Sequence, residues 1–208
     1  MIDFLKPAAP AGVSFTENDP RVDVSHLRWL LTACLLGACS HQEPGQVCVS
    51  TSSTSLSGVD FVFPHQRCEL SLAEAENGFD VDFVVHVDER LDAVQAEPLD
   101  SGGCEQPGAS GLIVHAELGD ETHLSCQCDI GLCPPVSRPA TTLAPGDYPA
   151  RVHLIAKDWQ GPSDTNTSPG AAFPAGPYDV VLKARGVVGT SVMYEYSIEG
   201  RLGVSFSP

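Results

Sequence analysis

The chain has 208 residues, room for one medium-sized domain and a targeting segment, and a formal charge of −16. Residues 1–38 hold three basic and four acidic side chains, so the acidic excess lies almost wholly from Cys39 onward. A surface of that sign repels phosphate and excludes nucleic acid as the expected partner. The 19 glycines and 17 prolines, set between β-branched and aromatic runs, suit strands and turns and not a helical bundle.

Residues 1–23 carry Asp3, Glu17, Asp19 and Asp23, whereas a signal-peptide n-region is short and positive. They are expected to be an over-long start or a disordered leader, with translation beginning near Val24. Residues 24–38 fit a signal peptide better. Arg28 supplies the positive flank, and Trp29-Leu-Leu-Thr-Ala-Cys-Leu-Leu-Gly-Ala38 is uncharged. Ten such residues are too few to cross a hydrocarbon core as a helix but suit an h-region. The competing reading is a buried apolar helix that happens to end in cysteine.

The h-region closes on Leu36-Gly37-Ala38-Cys39, which resembles the lipobox of bacterial lipoproteins. The resemblance implies cleavage between Ala38 and Cys39, a diacylglyceryl group on the Cys39 thiol, and acyl chains such as palmitate that anchor the protein. At about 0.8 kcal/mol per buried methylene, several chains make an anchor effectively permanent. Ser40, in place of Asp, resembles lipoproteins sorted to the outer membrane of a two-membrane cell, and the resemblance implies that location here. Residues 39–58, polar and then rich in Ser and Thr, are expected to form a tether.

Residues 59–208 are expected to be the exported domain. Phe79 to Val87 alternates strictly, with Phe79, Val81, Phe83, Val85 and Val87 on one face and Asp80, Asp82 and His86 on the other. Similar alternation marks strands at Leu112–Leu118, Tyr148–Ala156, Tyr178–Ala184, Val192–Ile198 and Leu202–Phe206, with shorter ones at Cys68–Leu72 and His123–Cys128. Leu70–Glu76 supports no more than a helical turn. Phe79, Val81, Phe83, Tyr148, Val152, Leu154 and Tyr178 are expected to face inward. The pattern predicts an all-β, antiparallel β-sandwich of immunoglobulin-like type.

Leu143-Ala-Pro-Gly-Asp-Tyr148 opens a strand expected to run to Trp159-Gln160-Gly161, and Phe173-Pro-Ala-Gly-Pro-Tyr178 opens the next. This strand pair resembles the bacterial immunoglobulin-like domains of the intracellular proteinase inhibitor and flagellar hook-capping families. The likeness covers residues 143–185 and implies the fold. The longer loop from Gly161 to Ala172 departs from those families, and protease inhibition is not carried over.

With Cys34 and Cys39 taken by the signal and the anchor, Cys48, Cys68, Cys104, Cys126, Cys128 and Cys133 form an even set in an oxidising compartment. Three disulfides are expected. Cys48 is preferred for Cys68, and Cys104 and Cys133 for Cys126 and Cys128 in either order, because Cys126 and Cys128 point to one face of a strand. A zinc site from Cys104, Cys126, Cys128 and Cys133 is the alternative, although paired Cys-x2-Cys knuckles are missing.

His86, His115 and His153 occupy the face opposite the apolar set and would make a zinc or copper site if their strands were neighbours. Asp164 to Ser168 offers oxygens at alternate positions, but Pro169 stands where a calcium loop turns on glycine. No Gly-x-Ser-x-Gly, His-Glu-x-x-His or phosphate loop occurs. The expectation is a non-enzymatic, lipid-anchored envelope protein without a cofactor, joined to a membrane by its lipid, with an envelope protein as the candidate partner of its sandwich. The rival readings are an inhibitor-like module gripping protein through loops at one end, a periplasmic metal-handling protein, and a hydrolase with an unfamiliar site.

Overall fold

The computed structural model describes residues 48–64, 66–99, 106–126, 138–161 and 168–208. The lipobox with Ala38 and Cys39, and the residues Cys104, Cys128, Cys133 and 164–167, lie outside the described residues. In chain order the elements are β1 (Ser50–Thr54), β2 (Val59–Val62), β3 (Glu69–Ser71), α1 (Leu72–Asn77), β4 (Phe79–Val87) and β5 (Leu91–Glu97). There follow β6 (His115–Gly119), β7 (Leu124–Cys126), β8 (Thr141–Leu143), β9 (Gly146–Leu154), β10 (Gly176–Val188) and β11 (Tyr194–Ser207). The described chain is thus mostly β-strand.

The β10–β11 ribbon is the spine. The two strands pair from Gly176↔Phe206 to Val188↔Tyr194, and each spends its outer edge on two partners. β10 takes β6 along Asp179–Lys183 and β5 along Arg185–Val188. β11 takes β1 along Ile198–Leu202 and, in parallel, β3 along Ser205–Ser207. With β7 and β8 at its margins this is an eight-stranded sheet; β2, β4 and β9 form a second, three-stranded antiparallel sheet. Even-numbered residues of the ribbon, from Tyr178 to Ala184 and from Tyr196 to Phe206, face inward. They join Val59, Phe61, Val81, Phe83, Val85 and Val87 of the second sheet in one core.

The sequence separates Val192–Ile198 from Leu202–Phe206, yet β11 runs unbroken through Gly200 and Gly203. Gly200 is needed for packing: a Cβ there would stand 2.8 Å from Phe61 Cβ across the core. Gly186 on β10 is similarly hemmed in by the Gln95 carbonyl and the Tyr196 ring. The β4 span agrees with expectation, with Asp80 and Asp82 exposed and Val81 to Val87 buried at alternate positions. Leu154 and Tyr178 are buried, while Phe79, Tyr148 and Val152 pack half-buried against the core.

The two Pro/Gly-rich strand starts share one device. Tyr148 Oη donates to Ala144 O at 2.8 Å, and Tyr178 Oη donates to Pro174 O at 2.9 Å, each four residues back. Gly146 and Gly176, at φ 150° and 158°, let each ring fold across the turn about 4 Å from where a Cβ would stand. β9 then ends at Leu154, short of Trp159, because the next residues serve other partners. Ala156 N donates to Ala75 O in α1, and Trp159 exchanges backbone bonds with Leu124 and Cys126 of β7. Leu112–Val114 is a buried approach to β6 and not part of it.

α1 begins at a capping box in which Ser71 and Glu74 satisfy each other's backbone N–H. The Glu74 carboxyl also holds Arg67 at 2.6 Å; that guanidinium, helped by Ser71, pulls its pKa down to about 2.

Candidate functional site

Strand direction sorts the turns into two ends. Cys48, the β6–β7 turn, α1 and the starts of β4 and β10 lie at one end, where Val49 O accepts from Gly203 N. At the other end are the β1–β2 turn at Gly58, the β4–β5 turn at Asp88–Arg90, the β8–β9 turn before Gly146, and the β10–β11 hairpin loop. From Gly203 to Tyr194, β11 climbs about 30 Å at about 3.4 Å per residue. The described chain therefore starts at the end opposite the hairpin tip.

The tip is the most exposed apolar feature of the ribbon. Val192, Met193 and Tyr194 are 60%, 66% and 65% exposed, three in succession. The sequence assigns Val192 and Met193 to a strand on their alternation, but β11 begins only at Tyr194. Gly189, at φ 124°, turns so tightly that a Cβ would strike the Val192 carbonyl, and its N–H donates to Ala93 O at 3.1 Å. Tyr194 continues the inward alternation one step past Tyr196, beyond the covered core. The sequence signal was present as an apolar run directly after Gly-Thr-Ser; periodicity alone absorbed it into the strand.

Acidic side chains rim this end. Asp88, Glu89, Asp92, Asp147 and Glu195 are all exposed, against Arg90, whose Nη2 and Nε hold Asp92. His86 stands between Asp147 of β9, at 2.5 Å from Nδ1, and Asp88, at 2.8 Å from Nε2. The bond to Asp147 and then that to Asp88 raise the His86 pKa above its usual value.

The three candidate metal histidines are not brought together. His86 and His153 share the second sheet, but His86 faces Asp147 while His153 pairs with Asp80 at the far end of the β4–β9 ladder. Six residues of β9 between their levels put them about 20 Å apart. His115 is on β6 of the other sheet, buried, 3.6 Å from Glu117. Among the described residues no three His, Cys, Asp or Glu side chains are grouped to hold a metal ion. Instead, the His153–Asp80 hydrogen bond and the Arg151–Asp82 ion pair cross-link β4 to β9 on the solvent face.

Cys48 and Cys68 form the expected disulfide, with Cα atoms 5.5 Å apart. It clamps the start of β1 to the start of β3, both of which border β11. Cys126 is also disulfide-bonded and so has no thiolate to offer zinc.

A groove of about 760 Å³ runs over the outer face of the eight-stranded sheet between that disulfide and the β6–β7 turn. Its floor carries Val181, the Lys183–Glu117 pair at 2.6 Å, and Arg201 with Asp179 at 3.5 Å. These charges neutralise one another and present no aligned nucleophile and base. Compared with family models, curated proteins and solved structures, the chain matches none.

Proposed function

We propose that this is a lipid-anchored cell-envelope protein whose immunoglobulin-like sandwich binds a partner through the loops at one end and catalyses no reaction. The anchor rests on the Leu36-Gly37-Ala38-Cys39 motif behind its uncharged h-region. The binding role rests on one observation: the exposed Val192–Met193–Tyr194 tip stands at the end opposite Cys48. A tether joined at Cys48 leaves that tip free to meet another molecule, and contiguous exposed apolar side chains mark such contacts. The paired tyrosine turns at Tyr148 and Tyr178 favour the immunoglobulin-like assignment within the all-β class.

The anchor is tested by labelling cells with an alkyne fatty acid and comparing wild type with Cys39→Ala. Label confined to the wild type supports lipidation at Cys39, and equal label on both refutes it. The binding role is tested by isolating the protein from its native envelope. A companion recovered with wild type and lost with Met193→Asp supports it; identical companions on both refute the tip as the site.

A further inference from the structure

We infer that the partner of the hairpin tip is a protein presenting an apolar socket rimmed by lysine or arginine. This rests on the binding-module reading and adds the chemistry of what is bound. Three consecutive residues more than half exposed present apolar surface on the order of 300 Å² at the hairpin tip, the size of patches that are often functional. That is too little for a whole interface, which takes about 800 Å² per partner, but it suits the central anchor of one. Tyr194 brings a rigid ring with a polar tip, and Met193 an adaptable side chain.

What surrounds the anchor sets the partner's charge. Glu195 follows Tyr194 directly, and Asp92 adjoins Ala93, whose carbonyl holds Gly189. Glu89 and Asp88 stand in the neighbouring turn, within 3.5 Å of where a Cβ on Gly58 would be. Against these and Asp147 the described residues of these loops set one full cation, Arg90, already paired to Asp92. A second copy of the chain would bring the same acids face to face, and an anionic lipid surface would repel them. A basic rim around an apolar socket satisfies both features of this end.

The test begins with a photocrosslinking amino acid at Met193 in cells that make the protein, with Thr122 in the β6–β7 turn at the opposite end as control. The crosslinked protein is identified by mass spectrometry and purified, and its binding to wild type, Met193→Asp and Glu89→Gln/Glu195→Gln is measured at 50 and 300 mM NaCl. We expect a single adduct specific to Met193, binding weakened tenfold or more by Met193→Asp, and at least fivefold weakening both by the double substitution and by the higher salt. No adduct, or the same adduct from Thr122, overturns the binding-module reading itself. An adduct of twice the chain's mass identifies a second copy and overturns the inference. Binding that needs Met193 but ignores salt and the double substitution leaves the tip as the site and refutes the basic rim. Flotation with neutral phosphatidylcholine vesicles that is lost in Met193→Asp refutes a protein socket.

Discussion

Two Tyr→Phe substitutions in the ribbon remove the same hydroxyl and should act with opposite sign. Tyr178 Oη donates to Pro174 O at 2.9 Å, so Tyr178→Phe deletes a made hydrogen bond and leaves a carbonyl short of a donor. Such a bond contributes about 1 kcal/mol. Tyr196 is 3% exposed, and its hydroxyl has no hydrogen-bond partner among the described residues. The ring packs against Gly186, and burial, with Glu97 nearby, raises the phenol pKa. A buried unpaired hydroxyl costs about 1–3 kcal/mol, so Tyr196→Phe should stabilise by about 1 kcal/mol once the lost volume of one oxygen is allowed for. In a domain of this size 1 kcal/mol moves Tm by about 2–4 °C. Thermal unfolding followed by circular dichroism should show Tyr178→Phe melting lower than wild type and Tyr196→Phe melting higher by similar amounts. If Tyr196→Phe lowers Tm by more than about 2 °C, its hydroxyl is bonded in solution and the reasoning fails.

Replacing both Cys48 and Cys68 by Ala opens a loop with a sequence separation of 20, a loss of about 3 kcal/mol in the chain-entropy account. Tm should fall by about 6–12 °C, and a fall under 2 °C would show that β1 and β3 hold their places on β11 without the clamp. His86 has a raised folded-state pKa, so the stability it adds is fully present below its unfolded value near about 6.5 and is lost as pH rises through the folded value. Melting curves between pH 6 and 9 should slope downward in wild type more than in His86→Gln; parallel slopes would remove His86 from the account.

The sequence carried the second sheet's central strand plainly. Phe79 to Val87 has one apolar face against the core and one charged face in water, the situation in which a period of two is clean. It assigned β1 to the tether of residues 39–58, whereas Ser50–Thr54 pair with β11: Ser-Thr-Ser-Ser-Thr has no apolar residue to alternate and owes its place in the sheet to the edge of that strand. β5 was hidden for another reason. Ala93 lies at φ 58° and the register against β8 shifts between Leu91 and Val94, so a bulge breaks the alternation. His86 and His153 lie on the exposed face of their strands as read, whereas His115 is buried, and convergence depends on sheet order, which no strand pattern states. His115 went to one sheet and His86 and His153 to the other. The Cys48–Cys68 pairing was legible because few cysteines lie near either in sequence.

The tip residues and the core residues of the ribbon answer to different constraints, and under the proposed binding role this separates folding from binding. Inward alternation on β11 holds from Phe206 to Tyr196, each such position buried, and then continues to Tyr194, which is 65% exposed. Burial supplies stability roughly in proportion to apolar area removed from water, so Val192, Met193 and Tyr194 contribute little to holding the sheets together. Polar residues at those positions would leave the Gly189 turn and the Val188↔Tyr194 backbone pairing in place. Apolar side chains there gain their hydrophobic free energy only when another surface covers them. Met193→Asp should therefore leave Tm within about 2 °C of wild type while abolishing the proposed association, since surface substitutions away from structural features change stability by about 0.5 kcal/mol or less.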